Sequence, residues 1–444
     1  MKFLSVKWGL AWAGAVLCGL AQASVNCLVE SDYAVRRADR AEEAYVKVSL
    51  TADKMPSKSR PSVNLAIVLD RSGSMSGEKI RQAREAACAA IERLDEKDVV
   101  SVVTYDDVAE TIISAQHVRE KDAIMARVRQ IEPRGSTALF AGVTAGANEL
   151  KKFIRFCEIN RILLLSDGQA NVGPSTPDEL GRYGAVLSKE GVAVSTMGLG
   201  AYYNEDLMTR LAQKSDGNSY FVENSDDLPR IFSRELGDVF SVAATRVELK
   251  VKFGEGFTPI ALIGRDGRIL GQTVSLSLNQ LYGGQEKYVI VKCDAAPRQD
   301  GYSGELATAE VSYLDAADNC AKTCSTVGRV SFSRNAETVQ SSVNKDVVRA
   351  RTLNENALRT EEAIRLADRG DMKGACYLMS CNSAAVAEAA CVMGDEDGEL
   401  SKSASMADSL NRSMSKGHIS PEMRKKAVTK GFQTMNQQSD DSDY

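Results

Sequence analysis

Residues 63–74 read VNLAIVLDRSGS, an apolar, β-rich run that ends in an acid and a Gly/Ser turn. A run of this kind is typical of a buried parallel strand that delivers polar side chains to the carboxyl edge of a sheet. Open α/β folds bind ligands at that edge. Asp70, Ser72 and Ser74 occupy alternate positions and carry oxygen atoms. The stretch therefore predicts a metal site, although a turn held by Asx and Ser hydrogen bonds gives the same pattern.

Apolar runs alternate with helical patterns from residue 63 to about residue 240. This alternation predicts an α/β unit with a doubly wound, mostly parallel, Rossmann-like sheet and helices on both faces. Val99–Tyr105 and Ala109–Ser114 are an exception, because the short link Asp106-Asp107-Val108 cannot make a parallel crossover. These two strands are expected to form a hairpin and to add one antiparallel strand.

The regions on either side of the α/β unit have a different pattern of polar and apolar residues. Strand-like alternation of polar and apolar residues begins near Thr245 and recurs between Gly-rich turns, which predicts an antiparallel β-sandwich. Ala44–Ala52 alternates in the same way, so we expect it to pair with the later strands and make the α/β unit an insertion. Helical patterns at 343–392 predict a helical hairpin. The expected divisions are 1–23 (signal peptide), 24–62 (N-terminal segment with one sandwich strand), 63–240 (α/β unit), 241–335 (β-sandwich), 343–392 (hairpin) and 393–444 (flexible tail with a possible short helix).

Two further segments are expected at the same sheet edge as Asp70. Gly135-Ser136-Thr137 precedes a helix that begins near Leu139, and Leu163–Ser166 is an apolar strand followed by Asp167. Together the three segments resemble the von Willebrand factor type A domain, whose metal ion-dependent adhesion site uses Asp-x-Ser-x-Ser, a loop Thr and a later Asp. The resemblance covers about residues 63–240. It implies that Asp70, Ser72, Ser74, Thr137 and Asp167 are the metal ligands.

The resemblance also implies the ion and the partner. The ion is expected to be Mg²⁺, with Mn²⁺ or Ca²⁺ as alternatives, and an Asp or Glu side chain of a protein ligand is expected to complete its coordination. The residue types agree, because hard dications prefer oxygen ligands and Mg²⁺ keeps several replaceable waters. The wider arrangement looks like exported bacterial proteins related to calcium-activated chloride channel regulators and inter-alpha-trypsin inhibitor heavy chains.

The first residues and the charge indicate where the protein acts. Lys2 and Lys7, an apolar stretch and Ala21-Gln22-Ala23 predict a cleaved signal peptide. We therefore expect export to the periplasm, the cell surface or the exterior, with no later membrane span. A net charge of −5, which becomes more negative without the two lysines, argues against nucleic acid as a partner.

Nine of the ten cysteines follow the predicted cleavage site, so at least one lacks a partner within the chain. Cys320 and Cys324 flank a predicted turn and could bridge it, and Cys376, Cys381 and Cys391 share a helical pattern. Zinc is the rival interpretation. It is disfavoured because the chain has only two histidines and no paired C-x-x-C.

Three functions are open at this stage. The first is metal-dependent protein binding or adhesion, and the second is an assembly or scaffold role carried by the β and helical regions. The third is metal-dependent hydrolysis, but Asp70 lacks the second acid two residues later that phosphoryl-transfer enzymes of that type have, and no other catalytic motif is present. No enzymatic activity is therefore expected.

Overall fold

A computed structural model describes residues 25–54, 60–154, 159–395 and 398–438. They form an α/β unit, a β-sandwich built from strands on both sides of that unit in the chain, and a set of C-terminal helices. The predicted signal peptide, residues 1–23, lies outside the described residues, as does Cys157.

Three strands precede the α/β unit: β1 (Val25–Ser31), β2 (Val35–Arg37) and β3 (Glu42–Ala52). The unit itself has a six-stranded sheet in the order β6-β5-β4-β7-β8-β9. Its strands are β4 (Val63–Asp70), β5 (Val99–Tyr105), β6 (Ala109–His117), β7 (Ile159–Ser166), β8 (Val192–Leu199) and β9 (Ser219–Val222). Its helices are α1 (Glu78–Glu92), α2 (Lys121–Val128), α3 (Leu139–Lys151), α4 (Pro177–Lys189), α5 (Glu205–Ser215) and α6 (Leu228–Phe240).

The central strands of this sheet are buried on both faces, which explains their continuous apolar sequences. Every residue of β4, β5, β7 and β8 is buried. Alternate side chains of β4 enter two different cores, with Leu65 and Ile67 in one and Ala66 and Val68 in the other. The strands are parallel except that β5 and β6 pair antiparallel, as the short link between them predicted.

The β-sandwich packs a four-stranded sheet, in the order β1-β3-β14-β11, against a six-stranded sheet, in the order β12-β13-β10-β15-β16-β2. Its later strands are β10 (Val242–Phe253), β11 (Phe257–Ile263), β12 (Arg268–Leu270), β13 (Thr273–Tyr282), β14 (Glu286–Ala295), β15 (Ser303–Asp315) and β16 (Ala321–Ser333). β3 pairs antiparallel with β14, from Thr51 opposite Glu286 to Glu42 opposite Ala295. The prediction that Ala44–Ala52 joins the later strands is confirmed, and the α/β unit is an insertion. The three-residue β2 pairs parallel with β16, which the prediction of an antiparallel sandwich did not include.

The C-terminal region contains more helix than the sequence patterns predicted. Its helices are α7 (Ala336–Ser341), α8 (Lys345–Asp368), α9 (Met372–Met393), α10 (Glu399–Ser415) and α11 (Pro421–Met435). α8 and α9 pack together as the expected hairpin. The expectation of a mostly flexible tail after residue 393 is wrong for α10, which packs on α9. The possible short helix of that tail is present as α11, which packs on α8 and α5.

In the described part of the chain, α9 is long and apolar enough to cross a membrane by length and composition alone. The length and composition of this one helix leave the prediction of no later membrane span untested. Here α9 packs against α8 and α10, and its buried Asn382 amide donates to Asn356 Oδ1 at 2.6 Å. The remaining face of α9 exposes Tyr377, Cys381 and Val392.

A buried polar network fastens the α/β unit to the β-sandwich. Arg161 of β7 is fully buried and lies across the boundary between the two units. It donates to Ser195 Oγ at 2.8 Å, to the Tyr282 hydroxyl at 2.8 Å and to Gln280. Glu235 of α6 is also fully buried and supplies the counter-charge, with Oε1 3.2 Å from Arg161 Nη1. Removal of either charge leaves the other buried without its ionic partner, which is costly.

We predict that Glu235→Gln lowers the free energy of unfolding by about 3 kcal/mol, because the Arg161 guanidinium then lacks a buried counter-charge. Urea unfolding followed by circular dichroism measures the change. Asp227→Asn is the matched control, because this acid precedes the same helix and pairs with Arg230 at the surface, 3.6 Å away. Equal unfolding midpoints for Glu235→Gln and the wild type would contradict the prediction.

Candidate metal centre

The ends of two adjacent parallel strands bring the predicted acids to one edge of the sheet. β4 and β7 pair in register, with Leu69 opposite Leu165. Asp70 is the last residue of β4, and Asp167 follows the last residue of β7. Both carboxylates are buried, at 0% and 1% exposure. The sheet topology therefore places the two acids side by side although 97 positions in the sequence separate them.

Hydrogen bonds connect the acids through the serines of the loop after β4. Asp70 Oδ1 accepts from the Ser72 amide at 2.8 Å, and Asp70 Oδ2 accepts from Ser166 Oγ at 2.8 Å. Ser72 Oγ lies 3.0 Å from Ser74 Oγ, and Ser74 Oγ donates to Asp167 Oδ1 at 2.6 Å. Four of the five predicted ligands thus form one connected cluster.

Thr137 reaches this cluster on the loop before α3. That loop is tied to the serine loop by two backbone hydrogen bonds, from the Gly73 amide to Gly135 O at 3.1 Å and from the Arg134 amide to Arg71 O at 2.7 Å. Gly168 shows how near Thr137 lies to Ser74. A Cβ on this glycine would be 3.3 Å from Thr137 Oγ1 and 3.6 Å from Ser74 Oγ. The structure therefore brings all five predicted residues together.

The electrostatics of Asp70 suit a bound cation. Burial raises the pKa of this carboxyl to about 6, the neighbouring Asp167 acts in the same direction, and the hydrogen bonds from Ser72 and Ser166 act against it. A dication between the two carboxylates would offset the cost of burying their charges. No group of three or more His, Cys, Asp or Glu residues in the described ranges could hold a metal ion. A cation at this edge would therefore depend on the three hydroxyls, an oxygen set that Mg²⁺ accepts.

Lys79 is a member of the site that the sequence patterns did not reveal. It lies in the first turn of α1, and its Nζ is 2.5 Å from Asp167 Oδ2. Its side chain is 34% exposed, so it can leave toward solvent. The only sequence signal is its place at the start of the helix after the serine loop. Lys79 neutralises Asp167 and competes with any cation for this oxygen.

Two arginines brace the loops from the side. Arg71 Nε donates to Asp106 Oδ2 at 2.7 Å, and Arg134 Nε donates to the same oxygen at 2.8 Å. Both arginines also reach Glu110. Burial raises the pKa of Asp106, but the hydrogen bonds from Arg134, the Val108 amide and Arg71 outweigh it and lower the pKa to about 2. This carboxylate therefore stays ionised and holds the two loops together at any physiological pH.

Comparison with known proteins identifies the α/β unit. The family model of the von Willebrand factor type A domain matches residues 64–234. The chain contains a von Willebrand factor type A domain. An uncharacterized protein of Synechocystis, sll0103, is 27% identical over 52% of this chain and 54% of its own length. Inter-alpha-trypsin inhibitor heavy chain H3 of Rattus norvegicus is 26% identical over 42% of this chain and 22% of its own length.

The structural comparison extends the likeness beyond the type A domain. A von Willebrand factor type A protein from Catenulispora acidiphila superposes with a TM-score of 0.68 at 17% identity, covering 88% of this chain and 91% of that one. A calcium-activated chloride channel regulator of Bos taurus is also among the relatives, so both predicted family resemblances are confirmed. The chain spans about half the length of the first curated relative and less of the others.

We predict that Lys79→Met raises the affinity of the site for Mg²⁺ about fivefold, because the ion no longer has to displace the ammonium group from Asp167. Isothermal titration calorimetry with MgCl₂ measures this change. Arg81→Met is the control, because Arg81 lies on the same helix but pairs with Glu78 on the exposed side. A variant with unchanged or weaker Mg²⁺ affinity would show that Lys79 does not compete.

Proposed function

We propose that this protein binds a divalent cation through Asp70, Ser72, Ser74, Thr137 and Asp167, and uses the ion to bind an acidic side chain of a protein partner. The observation that carries the proposal is the convergence of two buried carboxylates and three hydroxyls at the carboxyl edge of a type A domain. The ion is Mg²⁺ in this proposal, with Mn²⁺ or Ca²⁺ as alternatives.

The charge balance of the cluster supports binding of an acidic ligand. Two carboxylates neutralise one dication, and the hydroxyls add no charge. Mg²⁺ prefers six oxygen ligands and retains waters where the protein supplies none. Ser74 is exposed to solvent, so the outer side of the cluster is open to a partner. A partner carboxylate can replace one of those waters, and binding then requires the metal.

The same features support binding over hydrolysis. The described neighbours of Asp70 are hydroxyls, a second carboxylate and the buried Tyr105. The nearest amine, Lys79, is engaged by Asp167. These groups supply no pair of a nucleophile with a separate general base. We propose further that the protein acts after export, in the periplasm, at the cell surface or outside the cell, because residues 1–23 carry the pattern of a signal peptide.

A scaffold role is the second candidate, and one observation favours it. α9 exposes the apolar side chains Tyr377 and Val392, at 75% and 59% exposure, on the face that α8 and α10 leave open. The double variant Tyr377→Ser, Val392→Ser is compared with an Asp70 variant for capture of a partner, which separates the scaffold role from the metal site. If capture of a partner depends on these residues and not on Asp70, the helical region carries the function.

Loss of a metal ligand should abolish binding without unfolding the protein. We expect Ser74→Ala to weaken Mg²⁺ binding at least tenfold, because the substitution removes one oxygen ligand, and Asp70→Ala to weaken it about 100-fold. Ser76→Ala is the matched control, because this exposed serine lies in the same loop and its hydroxyl donates to Gly73 O. Calorimetry measures the affinities, and circular dichroism checks the fold.

The same variants test whether binding of a protein partner requires the metal site. A pull-down from the native envelope with MgCl₂ should recover a protein that is absent with EDTA and absent with Asp70→Ala. The Ser76→Ala variant should still recover it. Equal capture by Asp70→Ala and the wild type would overturn the proposed function.

Metal affinity should also depend on pH. The folded pKa of Asp70 is raised to about 6 by burial, so protons compete with the cation below that pH. We expect the affinity for Mg²⁺ to be constant above about pH 7 and to fall about tenfold per pH unit below pH 6. Calorimetric titrations at pH 5, 6, 7 and 8 measure this dependence, and a flat profile would contradict it.

A further inference from the structure

The first strand of the chain crosses the β15–β16 hairpin of the opposite sheet. A Cβ on Gly328 of β16 would lie 2.6 Å from Val29 Cγ1, so the two strands touch there. On the other side of Cys27, the Tyr313 phenol of β15 hydrogen-bonds with the backbone of Val25. These two contacts fix β1 against the hairpin at the residues two positions before and two positions after Cys27.

Cys324 lies on β16, on the side of the hairpin that faces β1. It pairs across the hairpin with Val311, which is buried in the sandwich core, so its side chain points inward. Cys27 belongs to the same core, and Cys324 packs against it. Burial raises the pKa of Cys27 to about 12, and the neighbouring Cys324 thiol acts in the same direction. The two sulfur atoms are therefore electrostatic neighbours.

The alternative partners among the described cysteines are less suitable. Cys320 directly precedes β16 and is four residue steps from Cys324 along extended chain. Its Cα atom is therefore about 13 Å from that of Cys324, whereas disulfides need Cα atoms about 4–7 Å apart. The expected bridge between these two residues is therefore excluded by the strand. Cys376, Cys381 and Cys391 share one helix at spacings of five or more residues, which also prevents pairing among them.

Cys293 is likewise out of reach of Cys27. The two cysteines lie in the same sheet on either side of β3, where Cys27 is opposite Leu50 and Cys293 is opposite Ala44. These positions are six residue steps apart along β3, which is about 20 Å. Cys88 belongs to a core of the type A domain, whereas Cys27 and Cys324 pack in the sandwich core. Among the described cysteines, Cys324 is therefore the partner that the geometry offers to Cys27.

We propose that Cys27 and Cys324 form a disulfide that joins the first strand of the β-sandwich to its last long strand. The bond would close a loop that contains the whole type A domain, and would tie together the two halves of the split sandwich. The proposal does not depend on the metal site. It requires an oxidant that carries a disulfide, such as oxidised glutathione or a disulfide oxidoreductase, and export would supply such surroundings.

The chemistry is two successive thiol–disulfide exchanges. The Cys324 thiolate, the more exposed of the two, attacks the oxidant disulfide, forms a mixed disulfide and releases one thiolate. The Cys27 thiolate then attacks the Cys324 sulfur of the mixed disulfide and releases the second thiolate of the oxidant. Two protons leave the protein thiols, and two electrons reduce the oxidant to two thiols. Burial raises the pKa of both cysteines, so the reaction should be fast during folding and slow in the folded, reduced protein.

The test uses the full chain, refolded from denaturant with reduced and oxidised glutathione. Remaining thiols are alkylated, the protein is digested without reductant, and linked peptides are identified by mass spectrometry. We expect one peptide pair that joins Cys27 to Cys324, in the wild type and in the control Cys320→Ser. Cys27→Ser and Cys324→Ser should lack it. Folded, reduced protein exposed to the same couple should form the bond at least tenfold more slowly than refolding protein.

A second measurement separates the bond from general folding effects. Addition of reductant should lower the Tm of the wild type and of Cys320→Ser by about 5 °C or more, because the reduced chain regains the entropy of an open loop. The Tm of Cys27→Ser and Cys324→Ser should not respond. Quantitative alkylation of Cys27 in the refolded wild type, or its linkage to another cysteine, would overturn the proposal. Alkylation of Cys27 and its linkage to another cysteine are both measured in the wild type. These results remain valid even if a variant fails to fold.

Discussion

The burial of Asp70 at the end of a central strand is the constraint on which the candidate site depends. A fully buried carboxylate is stable only when hydrogen bonds or a cation compensate its charge. The Ser72 amide and the Ser166 hydroxyl supply part of that compensation, and they fix the direction of the loop that carries Ser74. Asp167 carries the second negative charge of the cluster, and Lys79 neutralises this charge from the solvent side. In the proposed function, a dication would compensate the charge that these hydrogen bonds and Lys79 leave on the two carboxylates.

A second buried charge determines how the type A domain is attached to the rest of the protein. α6 is followed directly by β10, so the last helix of the domain continues into the sandwich. Glu235 of this helix pairs with Arg161, and Arg161 bonds to Tyr282 of the sandwich. A shift of α6 would have to separate these buried groups or carry the sandwich with it. The type A domain and the sandwich are therefore joined through this helix by buried polar contacts as well as by the chain itself.

The sequence predicted the features that local periodicity encodes. The buried strands, the β5–β6 hairpin and the return of Ala44–Ala52 to the sandwich all followed from runs and alternations. α10 was missed and α11 was predicted only as a possible short helix, because their Ser-, Met- and Lys-rich composition lacks a strong apolar stripe. Distant partners such as Glu205 hold Arg424 and Lys425 of α11 in place. The five candidate ligands were readable as a motif. Lys79 was not, because its partner lies 88 residues away and only the fold brings them together.

The C-terminal helix also covers one side of the type A domain. α11 begins beside the N-terminus of α5, at the carboxyl edge of the sheet, where Lys425 pairs with Glu205. Past its end, Gln438 accepts from the Ser219 amide at 3.0 Å and donates back to its carbonyl at 3.3 Å. The helix and its extension therefore cover the edge strand β9 and satisfy backbone groups that an open edge would offer to another strand. With that side closed, Ser74 at the carboxyl edge stays exposed; in the proposed function, this is the side from which a partner carboxylate would approach.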